Sequence, residues 1–154
     1  GEEDADKLRV LIFKGGGDAA FAAGTDISQF KTFSRPDDAI NYEAMIEAVL
    51  KGIEQCEIPT ISALNGFVTG GGAAIAAACS IRIGSRSVKL GVPIAKTLGN
   101  CLAIANLRRF VQLVGPARTA HILLTAQLID AEAALQAGFI TELHEDKEAV
   151  ETRA

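Results

Sequence analysis

Residues 65–80 read NGFVTGGGAAIAAACS, in which three consecutive glycines run into an uncharged, alanine-rich stretch without proline. Alanine has the highest helix propensity, so this stretch predicts a helix that ends near Cys79. The first turn of a helix carries N–H groups without intrahelical partners and the positive end of the helix dipole, and glycine lets a ligand approach that backbone closely. Glycines 70–72 therefore predict either a ligand-binding helix start or an ordinary turn before a helix.

The segments before and after this helix alternate between strand and helix patterns. Residues 8–14 (LRVLIFK), 60–64 (TISAL) and 80–85 (SIRIGS) predict three strands, and the first has the nearly continuous apolar pattern of a strand covered on both faces. Between the first two strands, apolar residues recur at helical spacing and predict a helix that begins at Ser34 and ends near Cys56. This alternation predicts an α/β fold with parallel strands and right-handed crossovers.

The last third of the chain is predicted to be mainly helical. One helix runs through residues 107–114, and a second runs through His121, which is interpreted as a buried core histidine because that helix is apolar. A short third helix has Asp130 as its N-cap and Gly138 at its end. Residues 139–143 (FITEL) predict a last strand.

Length and composition indicate one globular domain, taken as residues 1–154. The chain has 49% apolar residues and a net charge of −4 at pH 7. It contains no apolar run of the roughly 20 residues that a membrane-spanning helix needs, and its acidic start, GEEDADK, differs from a signal peptide. A cytoplasmic location is therefore predicted. The three cysteines are widely spaced in apolar sequence, which favours reduced thiols, and no metal site is expected.

Charged residues are distributed unevenly along the chain. Positions 58–129 contain no Asp or Glu, and this window either attracts an anionic ligand such as a phosphorylated cofactor or is mostly buried core, where an unpaired carboxylate is costly. Nucleic acid is not an expected partner, because the basic residues form no dense cluster and the overall charge is negative. The seven basic residues of the window are Arg82, Arg86, Lys89, Lys96, Arg108, Arg109 and Arg118.

Two loops follow the first two predicted strands, and they carry FAAGTD and TGGG. The loops that leave parallel strands emerge at one edge of the sheet, so these two loops are expected to face one cleft. The glycine run matches neither GxxxxGK[ST] nor GxSxG, and it departs from GxGxxG at the last position. Dinucleotide binding therefore receives little support.

Four segments carry a resemblance to a known family: FAAGTDI at 21–27, NGFVTGGGAAIAAACSIRI at 65–83, LGVP at 90–93 and LVGPARTAHILLTAQLIDAEAALQAGFITEL at 113–143. With these motifs the chain, from about Leu8 to Leu143, resembles the enoyl-CoA hydratase/isomerase (crotonase) superfamily. The resemblance implies a crotonase-like α/β fold of repeated ββα units, with a mostly parallel sheet and flanking helices. It also implies acyl-CoA substrates in fatty acid metabolism, no cofactor apart from the coenzyme A of the substrate, and assembly as a homotrimer or a dimer of trimers.

The resemblance also assigns site residues. In the family, two backbone N–H groups polarise the thioester carbonyl and stabilise the enolate that forms, and here they fall on Thr25 and Gly71. Asp26 is assigned a structural role in preference to a catalytic one. In this role its carboxylate accepts hydrogen bonds from backbone N–H groups and so holds its own loop. Contacts with the substrate and coenzyme A are assigned to Ala23, Gly24, Asp26, Ile27, Gly70, Gly72 and Pro93.

Two positions depart from the family's pattern. Its hydratases carry one glutamate two residues after the third glycine and another directly after the proline of G-x-P, where this chain has Ala74 and Ile94. General acid–base groups contribute about 10² to 10⁴ in rate, so isomerisation, decarboxylation or thioester hydrolysis fits better than hydration. The candidates for the acid–base role of the missing glutamates are Glu43, Glu47, Asn100 and Cys101. Each also has a structural interpretation: the glutamates as solvated residues on a helix, Asn100 as a helix cap and Cys101 as a buried thiol.

Three functions remain open on the sequence. The chain is an acyl-CoA enzyme of this superfamily, an acyl-CoA-binding relative without turnover, or a structural subunit that keeps only the fold. The family's N-terminal strands and C-terminal helices are expected to lie outside residues 1–154, so this domain is expected to be a fragment of the functional unit.

Overall fold

The computed structural model describes residues 8–24, 34–97 and 102–154 of the 154-residue chain. These residues form eight strands and seven helices in a mixed α/β arrangement. The strands are β1 (Leu11–Lys14), β2 (Ala20–Ala22), β3 (Thr60–Leu64), β4 (Phe67–Thr69), β5 (Ile81–Ser85), β6 (Lys89–Gly91), β7 (Ile129–Asp130) and β8 (Glu142–His144). The helices are α1 (Pro36–Glu54), α2 (Gly71–Ala78), α3 (Ile94–Thr97), α4 (Ile104–Val114), α5 (Pro116–Thr125), α6 (Ala131–Gln136) and α7 (Lys147–Arg153).

The strands form two four-stranded sheets. The first has the order β1-β3-β5-β8 with every neighbouring pair parallel. The second has the order β2-β4-β6-β7 and is parallel except for the β6–β7 pair. The predicted order of β1, α1, β3, α2 and β5 is confirmed. The sequence pattern did not predict β2, β4, β6 and β7, because strands of two or three residues are too short to show alternation.

Successive ββα units are stacked through their strand-to-strand turns. Asn65, which is buried, donates from Nδ2 to the carbonyl oxygens of Gly17 (3.3 Å) and Asp18 (2.9 Å). Gly66 has φ +55°, and a Cβ there would lie 2.1 Å from the carbonyl oxygen of Ala19. Glycine is therefore required where the β3–β4 turn touches the β1–β2 turn. These contacts fix β2 beside β4.

Helix α2 lies at the centre of the core. Ala73 and Ala76 are fully buried among the side chains of the strands and of α4, including Phe110, while Ala74 and Ala78 belong to a second apolar cluster formed with α1. Because alanine is small, two layers pack closely on opposite sides of this helix. The alanine-rich helix predicted from the sequence is confirmed at Gly71–Ala78.

Two predictions for the first part of the chain need correction. β1 is not covered on both faces, because it is the outermost strand of its sheet in the described part of the chain, and Leu11 and Ile12 are 41% and 40% exposed. Helix α1 begins at Pro36 rather than Ser34, since the carboxylate of Asp38 accepts the N–H of Ser34 at 2.8 Å and holds it outside the helix.

The last third follows its predicted capping pattern. Asp130 caps α6 by accepting the N–H of Ala133 at 2.8 Å, and Gly138 follows the helix with φ +83°. The interpretation of His121 as a core histidine is wrong. Its side chain is exposed on α5 and lines a groove with Arg118, because the apolar side of that helix is formed by neighbours such as Ile122. Within the described residues, no helix is both long and apolar enough to cross a bilayer.

An arginine joins α1 to α4. The side chain of Arg109 is 6% exposed and donates to both carboxylate oxygens of Glu54 (2.7 and 2.8 Å) and of Glu47 (2.9 and 3.0 Å). The two glutamates are seven residues apart, so they lie on one face of α1. Because α2 contacts both α1 and α4, this ion network holds the two helices beside it.

Acid is expected to weaken the network. Hydrogen bonds from Arg109 hold the pKa values of Glu47 and Glu54 below their ordinary value of 4.5. Their contribution to the free energy of unfolding is therefore present above pH 4.5 and is lost as the pH falls through the lowered pKa values. Urea unfolding at a series of pH values should show a steeper acid loss of stability in the wild type than in Arg109→Met. Equal slopes would contradict this expectation.

Candidate functional site

The glycine turn begins α2. Gly70 is the N-cap residue with φ +55° and ψ −119°, a conformation that favours glycine. Its N–H donates to the carbonyl oxygen of Gly91 at 3.2 Å, and its carbonyl oxygen accepts the N–H of Ala74 at 3.1 Å. The N–H groups of residues 71–73 precede that first helical bond and have no partner within the helix. They therefore lie at the positive end of the helix dipole.

The loop after β2 contacts this turn. A Cβ on Gly72 would lie 2.2 Å from the carbonyl oxygen of Ala22, and a Cβ on Gly70 would lie 3.4 Å from the Cα of Gly24. Gly24 itself has φ +124°, which also favours glycine. The two loops that the sequence predicts at one edge do meet, with Ala23 and Gly24 exposed beside the start of α2. Thr25, Asp26 and Ile27 lie outside the described residues, and their roles stay predictions.

The close approach at Gly72 gives a direct test of this geometry. We expect Gly72→Ala to lower the free energy of unfolding by about 1–3 kcal/mol, because its Cβ would overlap the backbone of β2. Gly52→Ala in α1 is the matched control, since nothing lies within 4 Å of its Cβ position and alanine favours a helix. Chemical denaturation measures both. A Gly72→Ala variant as stable as Gly52→Ala would show that β2 and the glycine turn do not touch.

The two positions at which the family's hydratases have glutamate are apolar and packed. Ala74 is 4% exposed and belongs to one buried apolar cluster with Leu50 and Ile53 of α1. Ile94 begins α3 and packs partly buried against the main core. Pro93, before it, accepts the N–H of Lys96 at 3.1 Å. Neither position therefore supplies a group that accepts or donates a proton.

The other acid–base candidates fall in different surroundings. Glu43 is exposed on α1. Glu47 is paired with Arg109, and this hydrogen bonding lowers its pKa and favours the charged form. Asn100 and Cys101 lie outside the described residues, and their roles stay predictions. In residues 8–24, 34–97 and 102–154, no group of three His, Cys, Asp or Glu side chains is arranged to hold a metal ion.

Three polar residues near these elements were not singled out as site residues from the sequence. Asn65 fixes the turns that place β2, Arg109 holds the helices beside α2, and Arg82 binds the carbonyl end of α2. The sequence could have indicated the importance of Arg82, because a charged residue inside the buried strand IRIGS needs an internal hydrogen-bond partner. The partners of Arg109 are 55 and 62 residues away, so sequence spacing gave no indication of them.

The chain is similar to proteins of one family over most of its length. A family model described as enoyl-CoA hydratase/isomerase matches residues 2–154. A crotonyl-CoA hydratase of Syntrophomonas wolfei is 34% identical over 145 residues, which are 94% of this chain and 55% of that protein. A short-chain-enoyl-CoA hydratase of Clostridium acetobutylicum is 34% identical over 98% of this chain and 57% of its own length. The chain therefore spans a little over half the length of these relatives.

Solved structures give the same result for the fold. An enoyl-CoA hydratase/carnithine racemase from Magnetospirillum magneticum superposes with a TM-score of 0.89 at 33% identity, over 95% of this chain and 54% of that one. An enoyl-CoA hydratase from Bacillus anthracis superposes with a TM-score of 0.86 at 28% identity, over 95% and 55%. The fold implied by the sequence resemblance is confirmed.

Proposed function

The chain belongs to the enoyl-CoA hydratase/isomerase family, and on that premise we propose that it binds acyl-CoA thioesters and polarises the thioester carbonyl with main-chain N–H groups. The contact between the loop after β2 and the start of α2 carries this proposal, since Gly24 lies beside Gly70. Thr25 follows Gly24 in the sequence, and Gly71 follows Gly70. The N–H groups of Thr25 and Gly71 form the proposed oxyanion hole.

Such an arrangement favours an enolate over the neutral thioester. When a base removes the proton next to the carbonyl, negative charge develops on the thioester oxygen. Each N–H donor aimed at that oxygen accelerates the reaction by about 10² to 10³. The donor at Gly71 also lies at the positive end of α2, which stabilises an anion further. Because the donors are main-chain groups, the side chain at position 25 has little effect on this step.

The reaction that uses this enolate is proposed from what the site lacks. Ala74 and Ile94 offer no carboxylate for the water and the proton of a hydration. Isomerisation, decarboxylation and thioester hydrolysis are therefore the preferred reactions, with Glu43, Asn100 and Cys101 as candidate proton-transfer groups. Glu47 is the weakest candidate, since Arg109 occupies both of its oxygens.

A second candidate function is acyl-CoA binding without turnover. The packing of Ala74 in one apolar cluster with Leu50 and Ile53 favours it, because none of these three side chains can accept or donate a proton. In both functions coenzyme A belongs to the ligand and no separate cofactor is needed. A homotrimer or dimer of trimers is the proposed assembly.

Titration and turnover distinguish these functions. Isothermal titration calorimetry with crotonyl-CoA, a 3-enoyl-CoA and malonyl-CoA tests binding, and free coenzyme A is the control for recognition of the acyl group. Turnover of the same three thioesters distinguishes an enzyme from a binding protein, and product analysis identifies the reaction. Absence of binding by the complete protein would overturn both functions.

A further inference from the structure

Arg82 lies at the end of α2 opposite to the glycine turn. Its side chain is 6% exposed, and it donates from Nη1 to the carbonyl oxygen of Cys79 (2.6 Å) and from Nε to that of Phe139 (2.7 Å). Cys79 is the C-cap residue of α2 and is extended (φ −71°, ψ 154°), so the guanidinium lies just beyond the C-terminal end of this helix. Its central carbon also lies 5.8 Å from the centroid of the Phe139 ring, where a cation is attracted to the ring face.

The charge of Arg82 has no counter-ion in the part of the chain that the structure describes. Arg86 and Arg109 both form ion pairs with glutamates, whereas Arg82 is held by two carbonyl oxygens with no carboxylate within 4 Å. The neighbouring Cys79 does not neutralise it, because burial raises the pKa of that thiol to about 11. Arginine remains protonated at neutral pH even when buried. A positive charge therefore lies at the C-terminal end of α2.

We propose that Arg82 is a positioning residue that acts through α2, where its charge neutralises the negative end of the helix dipole and so strengthens the hold of the glycine turn on an anionic ligand oxygen. This inference rests on the proposed function. Without Arg82, the negative carbonyl end of the helix would oppose the N–H groups at the other end. Within the described residues, Arg82 is thus a buried cation without a carboxylate partner behind the proposed site.

The size of the effect follows from the length of the helix. Eight residues at 1.5 Å each give α2 a length of about 12 Å, and a hydrogen bond of about 3 Å at each end places the guanidinium about 18 Å from the ligand oxygen. At that distance and an effective dielectric constant of about 20, one unit charge changes the ionisation equilibrium of an anion roughly fivefold. A surface arginine has a much weaker effect because water and salt screen it.

Acetoacetyl-CoA is a suitable probe, because this β-ketoacyl thioester ionises to an enolate whose ultraviolet absorption differs from that of the neutral form. The measurement is the pH at which the bound probe ionises, at saturating probe. We expect the wild type to lower the pKa of the probe relative to free solution. Arg82→Gln should raise the pKa of the bound probe by about 0.7 unit, and Arg82→Lys should restore most of the wild-type value. Arg118→Gln, which removes an exposed charge, should leave it unchanged.

The possible results separate the two proposals. If the wild type binds the probe and lowers its pKa but Arg82→Gln does so equally, Arg82 has no electrostatic role and the proposed function stands. If the wild type does not bind the probe, the proposed function fails and this inference fails with it. If Arg82 had only a structural role, both Arg82 variants would be less stable than the wild type, but the pKa of the bound probe would not depend on whether residue 82 is charged.

A measurement on the wild type covers the case in which Arg82→Gln does not fold. A buried charge is screened little by salt, so the pKa of the bound probe should change little between low and high salt. A return of the probe's pKa towards its free value as salt rises would assign the effect to surface charges and overturn the role of Arg82.

Discussion

Gly71→Pro is expected to lower the kcat/KM of thioester turnover by about 10² to 10³, which corresponds to roughly 2.7–4 kcal/mol of lost transition-state stabilisation. Proline has no N–H, so this variant removes the donor that the proposed oxyanion hole takes from α2. Gly71 is the first residue of that helix, the position at which proline is tolerated because its N–H has no helical partner. The loss should therefore arise from the donor rather than from unfolding of the helix.

Gly71→Ala is the matched control for this variant. It adds a Cβ, as proline does, but keeps the N–H, so the difference in kcat/KM between the two variants isolates the donor. Circular dichroism and thermal unfolding verify that both variants are folded. If Gly71→Pro and Gly71→Ala turned over the thioester at the same rate, the N–H of Gly71 would not contact the reacting oxygen, and the proposed oxyanion hole would be wrong.

The double variant Glu47→Gln, Glu54→Gln is expected to lose about 3 kcal/mol of unfolding free energy. It leaves the guanidinium of Arg109 charged and 6% exposed without a carboxylate partner, and an uncompensated buried charge costs about 3–5 kcal/mol. The lower end of that range applies because glutamine still offers an oxygen to the guanidinium. Urea unfolding monitored by circular dichroism measures the change.

Removal of the other partner should cost less. In Arg109→Met the two freed carboxylates are already 25% and 38% exposed, so they can turn towards water, and we expect a loss of about 1–2 kcal/mol. The triple variant that combines all three changes should recover part of the loss of the double variant, since no buried charge remains. A triple variant less stable than the double variant would contradict this account of the network.

Local sequence chemistry was sufficient to predict the turn and its helix. Three glycines followed by alanines predicted a helix start after the glycines and a helix end near Cys79, and α2 spans Gly71–Ala78. It was not sufficient for the contacts that place the turn, because the backbone of Ala22 and the partners of Arg109 come from distant parts of the chain. The apolar run of β1 predicted burial on both faces, but the position of a strand in its sheet depends on tertiary pairing.

The same division applies to the candidate site. The resemblance predicted main-chain donors at Thr25 and Gly71, which stay predictions, and it showed which two positions lack the glutamates of the family's hydratases. It could not identify Arg82, whose significance depends on its place at the C-terminal end of α2 and on the lack of a nearby carboxylate among the residues that the structure describes. Charge in a buried site is a property of three-dimensional neighbours, so a sequence shows that a cation exists but not what neutralises it.

The stacked turns at Asn65 and Gly66 have a consequence for how stability is distributed. Each ββα unit contacts mainly the unit before and the unit after it, as in repeat proteins, whose stability is a sum of nearest-neighbour terms. Within the described residues, the unit of β3, β4 and α2 has a neighbour on both sides, as β5 and β6 also do, whereas the strand β1 has one neighbour in its sheet. The glycine turn therefore belongs to an interior unit, and fraying that is confined to β1 can proceed while the geometry of the turn is retained.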